Sequence, residues 1–424
     1  MATTSSDRIL TLDVIRGIAV MGIFSVNVVG MAMIQSAYFY PPEFGFDGTG
    51  DKVMWALNSI FVDGRFRSLF SILFGASMIV VIERAVAAGK KGWQVHYPRM
   101  IVLLLFGLAH YYLLWWGDIL ANYAMVGMIA YFLWRLSAKW LLVASIAVLL
   151  LINGLTMVEF LPQLQLVERV QSGGGTAEEQ AKVQEMLAPD DPAELAERIA
   201  EDKTDHASIP AHLAASTESD AVWRPFQGVL GYGPETLGLM LLGMALLKSG
   251  FLTGGWSRAR YAQVAIACLG VDLALHAYGA WASFEADFAP QVFFPWTQVY
   301  VSPFHPVGAV GYAALIILLF SHRSAIADRF AAVGRTAFSN YLGPTLIGTL
   351  IFFGTFGGLY GELSRGQAWL IVPPVWALML VWSKWWLDRY RYGPFEWAWR
   401  SLARWERQPM RKRPAAGVPM GEAA

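Results

Sequence analysis

The chain has 424 residues, 56% hydrophobic and 15% charged, with 32 basic and 32 acidic side chains balancing to zero net charge. A water-soluble domain carries about 25% charged residues, so this composition excludes an ordinary soluble fold, and the lack of a basic excess excludes a nucleic-acid partner. One cysteine, Cys268, excludes an internal disulfide framework and a thiolate metal cluster.

Apolar runs of about the length that crosses a bilayer, roughly 20 residues, predict spans over 14–37, 60–82, 99–116, 119–136, 140–160, 227–247, 261–283, 306–321, 336–354 and 368–387. The start lacks the basic opening and cleavage site of a signal peptide, so the first run is expected to stay attached. Within it, Asp13 and Arg16 share one helix face and can pair, with Arg8 just before them. They are either an ion pair that seats the helix or a cytoplasmic site for an anionic cofactor. Asn27, nearer mid-membrane, is an interhelical link or a pocket donor. The second span enters at FVDGRFRSLF, where Arg65 and Arg67 project in different directions. One is expected to anchor at the headgroups and the other to turn inward toward an acidic or carbonyl group.

Only Gly117-Asp118 separates the third and fourth spans, which implies a tight reversal at an interface or a broken helix buried in protein. Trp115 and Trp116 favour the interface. His110 lies near the end of the third span and Asp118 begins the fourth. On an unbroken helix they would stand about 12 Å apart; a reversal at Gly117 would bring the carboxylate back to orient an imidazole acting as general base. The alternative is a packing histidine. Asn122, just inside the fourth span, is a further candidate for substrate contact.

Residues 161–225 alternate acidic and apolar positions after a flexible SGGG at 172–175, a pattern for one or two amphipathic helices. They form either a solvated insertion packed on the membrane domain or a lid over an outer pocket. His276 and His305 are outer-side candidates for substrate contact. Three imidazoles with His110 would suit a metal, but the spacings are wide and Pro303 and Pro306 account for a helix entry, so no metal is expected. Arg335 precedes the ninth span, and the tail 404–424, basic and then small and proline-containing, reads as disordered and able to touch anionic headgroups. No GxGxxG, P-loop, HExxH or GxSxG is present.

Ten spans return both termini to one side. Basic groups at 84–99, 135–139, 248–260, 323–335 and after 384 fall on that side, which the positive-inside rule makes cytoplasmic. The fold class is thus all-α: a polytopic bundle of about ten spans with an N-terminal membrane part at 1–160, an extracytoplasmic helical insertion at 161–225, a C-terminal membrane part at 226–403 and a cytoplasmic tail.

The segments LDVIRGIAVMGIFSVN (12–27), FVDGRFRSLFSILFGA (61–76), GLAHYYLLWWGDILANYAMVG (107–127), GRTAFSNYL (334–342) and RYGPFEWAWRSL (391–402) together resemble the YeiB/DUF418 family of bacterial inner-membrane proteins. Through the Asp-x-x-Arg-Gly helix and the membrane histidine, that family is similar to transmembrane acyltransferases that modify polysaccharides, lipids or amino sugars. The resemblance implies an acyltransferase-like bundle in the plasma membrane, with acyl-CoA, acetyl-CoA foremost, as cytoplasmic donor and a small-molecule, glycan or lipid-linked acceptor. It implies His110 as catalytic base, Asp118 as its partner, and Arg16, with Arg8, Asp13 and Arg335, as the donor-facing region. Membrane lipids are the expected surroundings, and assembly of identical copies stays open. The alternative function is a small-molecule or lipid transporter lined by the same polar residues.

Overall fold

The computed structural model describes residues 5–188 and 191–412, with side chains from Leu10 onward. In lipid the backbone must satisfy its own hydrogen bonds, and the described residues answer with helices; their one β-contact is an isolated bridge between Tyr390 and Arg411. The first half contains α1 (Ser5–Ala32), α2 (Gln35–Phe39), α3 (Thr49–Phe61), α4 (Arg65–Ala87), α5 (Gly92–Leu113), α6 (Leu120–Ala130) and α7 (Ala138–Gln171). The insertion holds α8 (Ala177–Leu187), α9 (Pro192–Asp205) and α10 (Ile209–Thr217). After it come α11 (Arg224–Lys248), α12 (Arg258–Glu285), α13 (Pro290–Phe294), α14 (His305–Leu319), α15 (Ala325–Arg335), α16 (Ala337–Phe352), α17 (Arg365–Trp369), α18 (Val372–Arg389) and α19 (Pro394–Arg404).

Seven helical segments among the described residues, not the ten expected, are long and apolar enough to cross a membrane: Leu10–Ala32, Thr49–Ala87, Ala138–Gln171, Ala221–Lys248, Arg258–Glu285, Pro290–Leu319 and Arg365–Arg389. The second is bent at Gly64, whose φ of +72° only glycine adopts without strain. The three that fall short are α5, α6 and α16. At 11 and 16 residues, α6 and α16 are too brief. The 22 residues of α5 have the length but include His96, Pro98, Arg99 and His110. Apolar content alone overlooked those interruptions.

Glycines let the long helices cross in backbone contact, as small residues do in membrane bundles. A Cβ on Gly17 would stand 2.0 Å from the Phe330 carbonyl oxygen, and one on Gly334 1.8 Å from that of Asp13, so α1 and α15 meet through both. Gly75 and Gly243 make the same kind of crossing between α4 and α11.

Polar contacts define two ends. At one, Arg16 bonds the Gly334 carbonyl, Glu396 of α19 accepts the Phe338 and Ser339 N–H groups that open α16, and Trp399 Nε1 donates to the Arg99 carbonyl at the start of α5. The beginning of α1 and the end of α19 both lie here. At the other, Trp115 Nε1 donates to the Gly30 carbonyl, and the insertion docks on the bundle.

The insertion has three helices rather than one or two, and α7 runs to Gln171, past the predicted boundary at 160. Thirty-four residues rise about 51 Å, longer than the roughly 30 Å hydrocarbon core, so its last turns project. Docking uses main-chain bonds from Gly354 to His206 and Thr355 to Ala207, with Ser216 donating to Tyr112 and the Tyr111 hydroxyl to Ala221. The insertion therefore covers the end of α5 directly after His110. In the tail, residues to Lys412 fold back: Arg391 N donates to Met410 and Trp397 Nε1 to Gln408. The disorder expected for 404–424 is corrected for that part, which hydrogen bonds hold; residues 413–424 lie outside the described residues.

Candidate functional site

Helix α5 stops where the Leu114 and Trp115 N–H groups both bond the His110 carbonyl at 3.0 Å. The chain then reverses, and Asp118 Oδ1 accepts the Ala121 N–H at 2.8 Å as α6 begins. Its other oxygen, Oδ2, lies 2.7 Å from His110 Nδ1, with both side chains about 1% exposed. Gly107 allows this approach, since a Cβ there would come within 2.3 Å of the Ala121 nitrogen. The predicted reversal and the His110–Asp118 contact are both present.

From α16, Thr345 Oγ1 sits 3.1 Å from His110 Nε2. In the tautomer whose Nδ1–H donates to Asp118, Nε2 carries the lone pair and Thr345 donates to it. Tyr341 completes the wall: its hydroxyl accepts the Ile119 N–H at 3.2 Å, and its ring centroid is 5.5 Å from the imidazole. All of these residues come from α5, α6, α16 and the 114–119 turn, the elements that fail as simple spans. Broken helices are tolerated at membrane depth where protein surrounds them, and this one is surrounded.

At the other end, Arg16 is part-exposed and held in place: Nη1 pairs with Asp13 at 2.8 Å and Nη2 bonds Ser77 at 2.8 Å. Arg335 is exposed beside the Gly334 crossing, and the side chain of Arg8 lies outside the described residues. Sequence reasoning missed a neighbouring arginine cluster. Arg99 stacks on Trp399 at 4.2 Å and feels Arg400 and Arg404, while Arg400 lies near Arg16 and has a buried Nε without a partner. Burial holds the Arg400 guanidinium below its usual range. From Arg99 to His110, α5 rises about 16 Å.

The remaining candidates divide. Arg65 is fully buried and pairs with Asp272 at 2.9 Å, so it is the arginine that turns inward toward an acidic group. Arg67 and Glu235 form a two-point ion pair. Asn122 donates to Thr236 across α6 and α11, and Asn27 is half-buried. His276 and His305 stack on each other at 5.4 Å, with no hydrogen bond or ring contact to His110 among the described residues, which dismantles the three-imidazole grouping. No group of three metal-ligating side chains occurs among the described residues. Asp272 had a legible signal, an acid four residues before His276 inside an apolar run; Thr345 had none.

Residues 246–406 match a family described as a protein of unknown function (DUF418). Over 399 residues the chain is 29% identical to the uncharacterized protein YeiB of Escherichia coli (strain K12), spanning 93% of this chain and 96% of that one. It is 28% identical over 429 residues to the uncharacterized protein YxaH of Bacillus subtilis (strain 168), spanning 97% and 98%. No solved structure matches it. With likeness to these two proteins running almost end to end and the DUF418 match covering residues 246–406, the chain is similar to the DUF418/YeiB family of bacterial proteins.

Proposed function

We propose that the protein is an acyltransferase of the bacterial plasma membrane that moves an acyl group from a cytoplasmic acyl-CoA to an acceptor hydroxyl or amine reached from the opposite face. The observation that carries this is the Asp118–His110 pair with a hydroxyl donating to Nε2. Thr345 occupies the position an acceptor hydroxyl would need. In the reaction the acceptor enters there, His110 Nε2 takes its proton as its oxygen or nitrogen attacks the thioester carbonyl, and the proton then passes to the departing CoA thiolate. Asp118 holds the ring in the required tautomer and steadies the imidazolium.

Two further features support the reading. The arginines at the far end, Arg16, Arg99, Arg335, Arg400 and Arg404, suit the phosphates of coenzyme A, for which guanidinium is a good partner. The roughly 16 Å rise of α5 is the distance a thioester arm must cover to reach His110. By the positive-inside rule we read the arginine end, with both chain ends, as cytoplasmic and the insertion as extracytoplasmic.

Purified protein in sealed vesicles, given acetyl-CoA labelled in its acetyl group and an envelope extract, tests the reading. A covalently labelled product is expected. Label that stays on CoA while small molecules cross the vesicle wall would instead establish a transporter, for which the buried Arg65–Asp272 pair would be the natural path-lining group.

A further inference from the structure

We propose a second ligand site at the insertion end of the bundle, between α3, α12 and the segment that leads into α14, that takes the uncharged hydroxyl end of a small alcohol or polyol. A cavity of about 40 Å³ lies there, lined by Ser59, Asp63, His276, Trp296, Thr297 and His305 among others. Around it, four buried polar atoms lack partners: Arg65 Nη2, Asp272 Oδ1, His276 Nε2 and His305 Nδ1. Buried polar groups are nearly always satisfied, so four in one neighbourhood point to a partner that belongs there. Asp272 Oδ1 is 3.3 Å from His276 Nδ1, but that N–H is already given to the Asp272 main-chain oxygen at 2.8 Å.

The surroundings are built for close approach. Residues Pro295–Tyr300 form a turn of π-helix, an uncommon widening that recurs at functional sites. A Cβ on Gly64 would meet the His305 ring at 2.3 Å, one on Gly308 the Asp272 carboxylate at 2.5 Å, and one on Gly279 the Trp296 indole at 3.0 Å. Each glycine thus brings a backbone against a residue of the site.

Chemistry selects the ligand. Because His276 Nδ1 donates to a carbonyl, the neutral ring presents Nε2 as a lone pair, and the ligand must donate to it. An anion would face that lone pair and the Asp63 carboxylate, while the Arg65 guanidinium already serves Asp272, the Ser59 carbonyl and the Asp63 carbonyl. A cation would face Arg65. A hydroxyl both donates and accepts, and a cavity of this size, room for roughly three water-sized positions, accepts a hydroxymethyl end with its carbon against the indole. The site stands whether or not His110 transfers an acyl group.

Ligand-observed NMR on the intact protein in a detergent without a sugar headgroup tests this, using glycerol and methyl glucoside against methylammonium and acetate. The polyols are expected to bind with dissociation constants of about 1–10 mM, the weak range for a few contacts. His276→Phe and the cavity-filling Gly279→Val should each weaken them about tenfold or more, while His276→Gln, which keeps an acceptor, retains part of the binding. The same protein in nanodiscs of phosphatidylglycerol or phosphatidylcholine separates sources: competition of phosphatidylglycerol alone with glycerol marks a lipid headgroup, and no competition marks a free polyol. Equal or tighter binding of either charged probe, absence of polyol binding, or full binding by both His276→Phe and Gly279→Val would overturn the proposal.

Discussion

Acidification should release the insertion from the bundle, and two histidines set how strongly. His206 stacks on Tyr360 with ring centroids 3.8 Å apart and gives its Nδ1–H to the Asp202 carbonyl at 2.7 Å; His212 Nε2 reaches the Tyr111 carbonyl at 3.3 Å. Each is about 5% exposed. Burial pushes both down to about 4, with His206 adding to the effect on His212. Released, each returns to the ordinary value near 6.5. Above pH 6.5 both rings are neutral in either state and docking is at full strength. Below it the released state binds protons first, so docking weakens by about 1.4 kcal/mol per pH unit per ring until pH 4. At pH 5 that is about 2 kcal/mol for each and about 4 kcal/mol together, roughly a thousandfold in the opening equilibrium. Hydrogen exchange of residues 205–217, corrected for intrinsic rate, should lose protection accordingly between pH 7.5 and pH 5. The double variant His206→Gln/His212→Gln should flatten the dependence. Unchanged protection at pH 5, or a pH dependence that survives in the double variant, would refute the reasoning.

Asp272→Asn should destabilise the protein by about 3–5 kcal/mol by leaving Arg65 buried without its counter-charge, whereas Arg65→Met with Asp272→Leu should recover much of the loss, as thermal unfolding in detergent would record. Thr345→Val removes the hydroxyl from His110 Nε2 at near-constant volume; if Thr345 only holds the acceptor's place, turnover should change less than about tenfold, and a collapse comparable to general-base loss would assign it a direct chemical part. Arg400→Ala and Arg16→Ala should each weaken acetyl-CoA binding about tenfold in calorimetry, the scale of one charge-assisted contact; undiminished binding in both would remove this end as the donor site.

Membrane character and most helices were legible because apolar length is a direct physical requirement of lipid. The His110–Asp118 contact was legible too, since Gly117 directly after two tryptophans marks a reversal. What apolar length does not carry is interruption: α5, α6 and α16 read as spans like the others, yet α6 and α16 are short, α5 carries His96, Pro98, Arg99 and His110, and together with the 114–119 turn they hold the site. Thr345 was invisible because one hydroxyl in an apolar run has no periodic signature and meets His110 only through the packing of helices 235 residues apart in sequence. For Arg65 an inward turn toward an acidic group was legible, but the group itself was not: Asp272 lies on α12 and is reached only in three dimensions. The segments GRTAFSNYL and RYGPFEWAWRSL also gain a structural role: Glu396 of one binds the Phe338 and Ser339 N–H groups and the Ser339 hydroxyl of the other, fastening α19 to the start of the helix that carries Thr345.

The central claim rests on His110 as the proton acceptor in acyl transfer. Transfer from labelled acyl-CoA to envelope extract should be compared for the unaltered protein, His110→Ala and Asp118→Asn, at matched amounts of monodisperse protein. The account predicts a fall of about 10²–10⁴-fold for His110→Ala and a smaller fall for Asp118→Asn, with folding preserved. A fully active His110→Ala protein would contradict it.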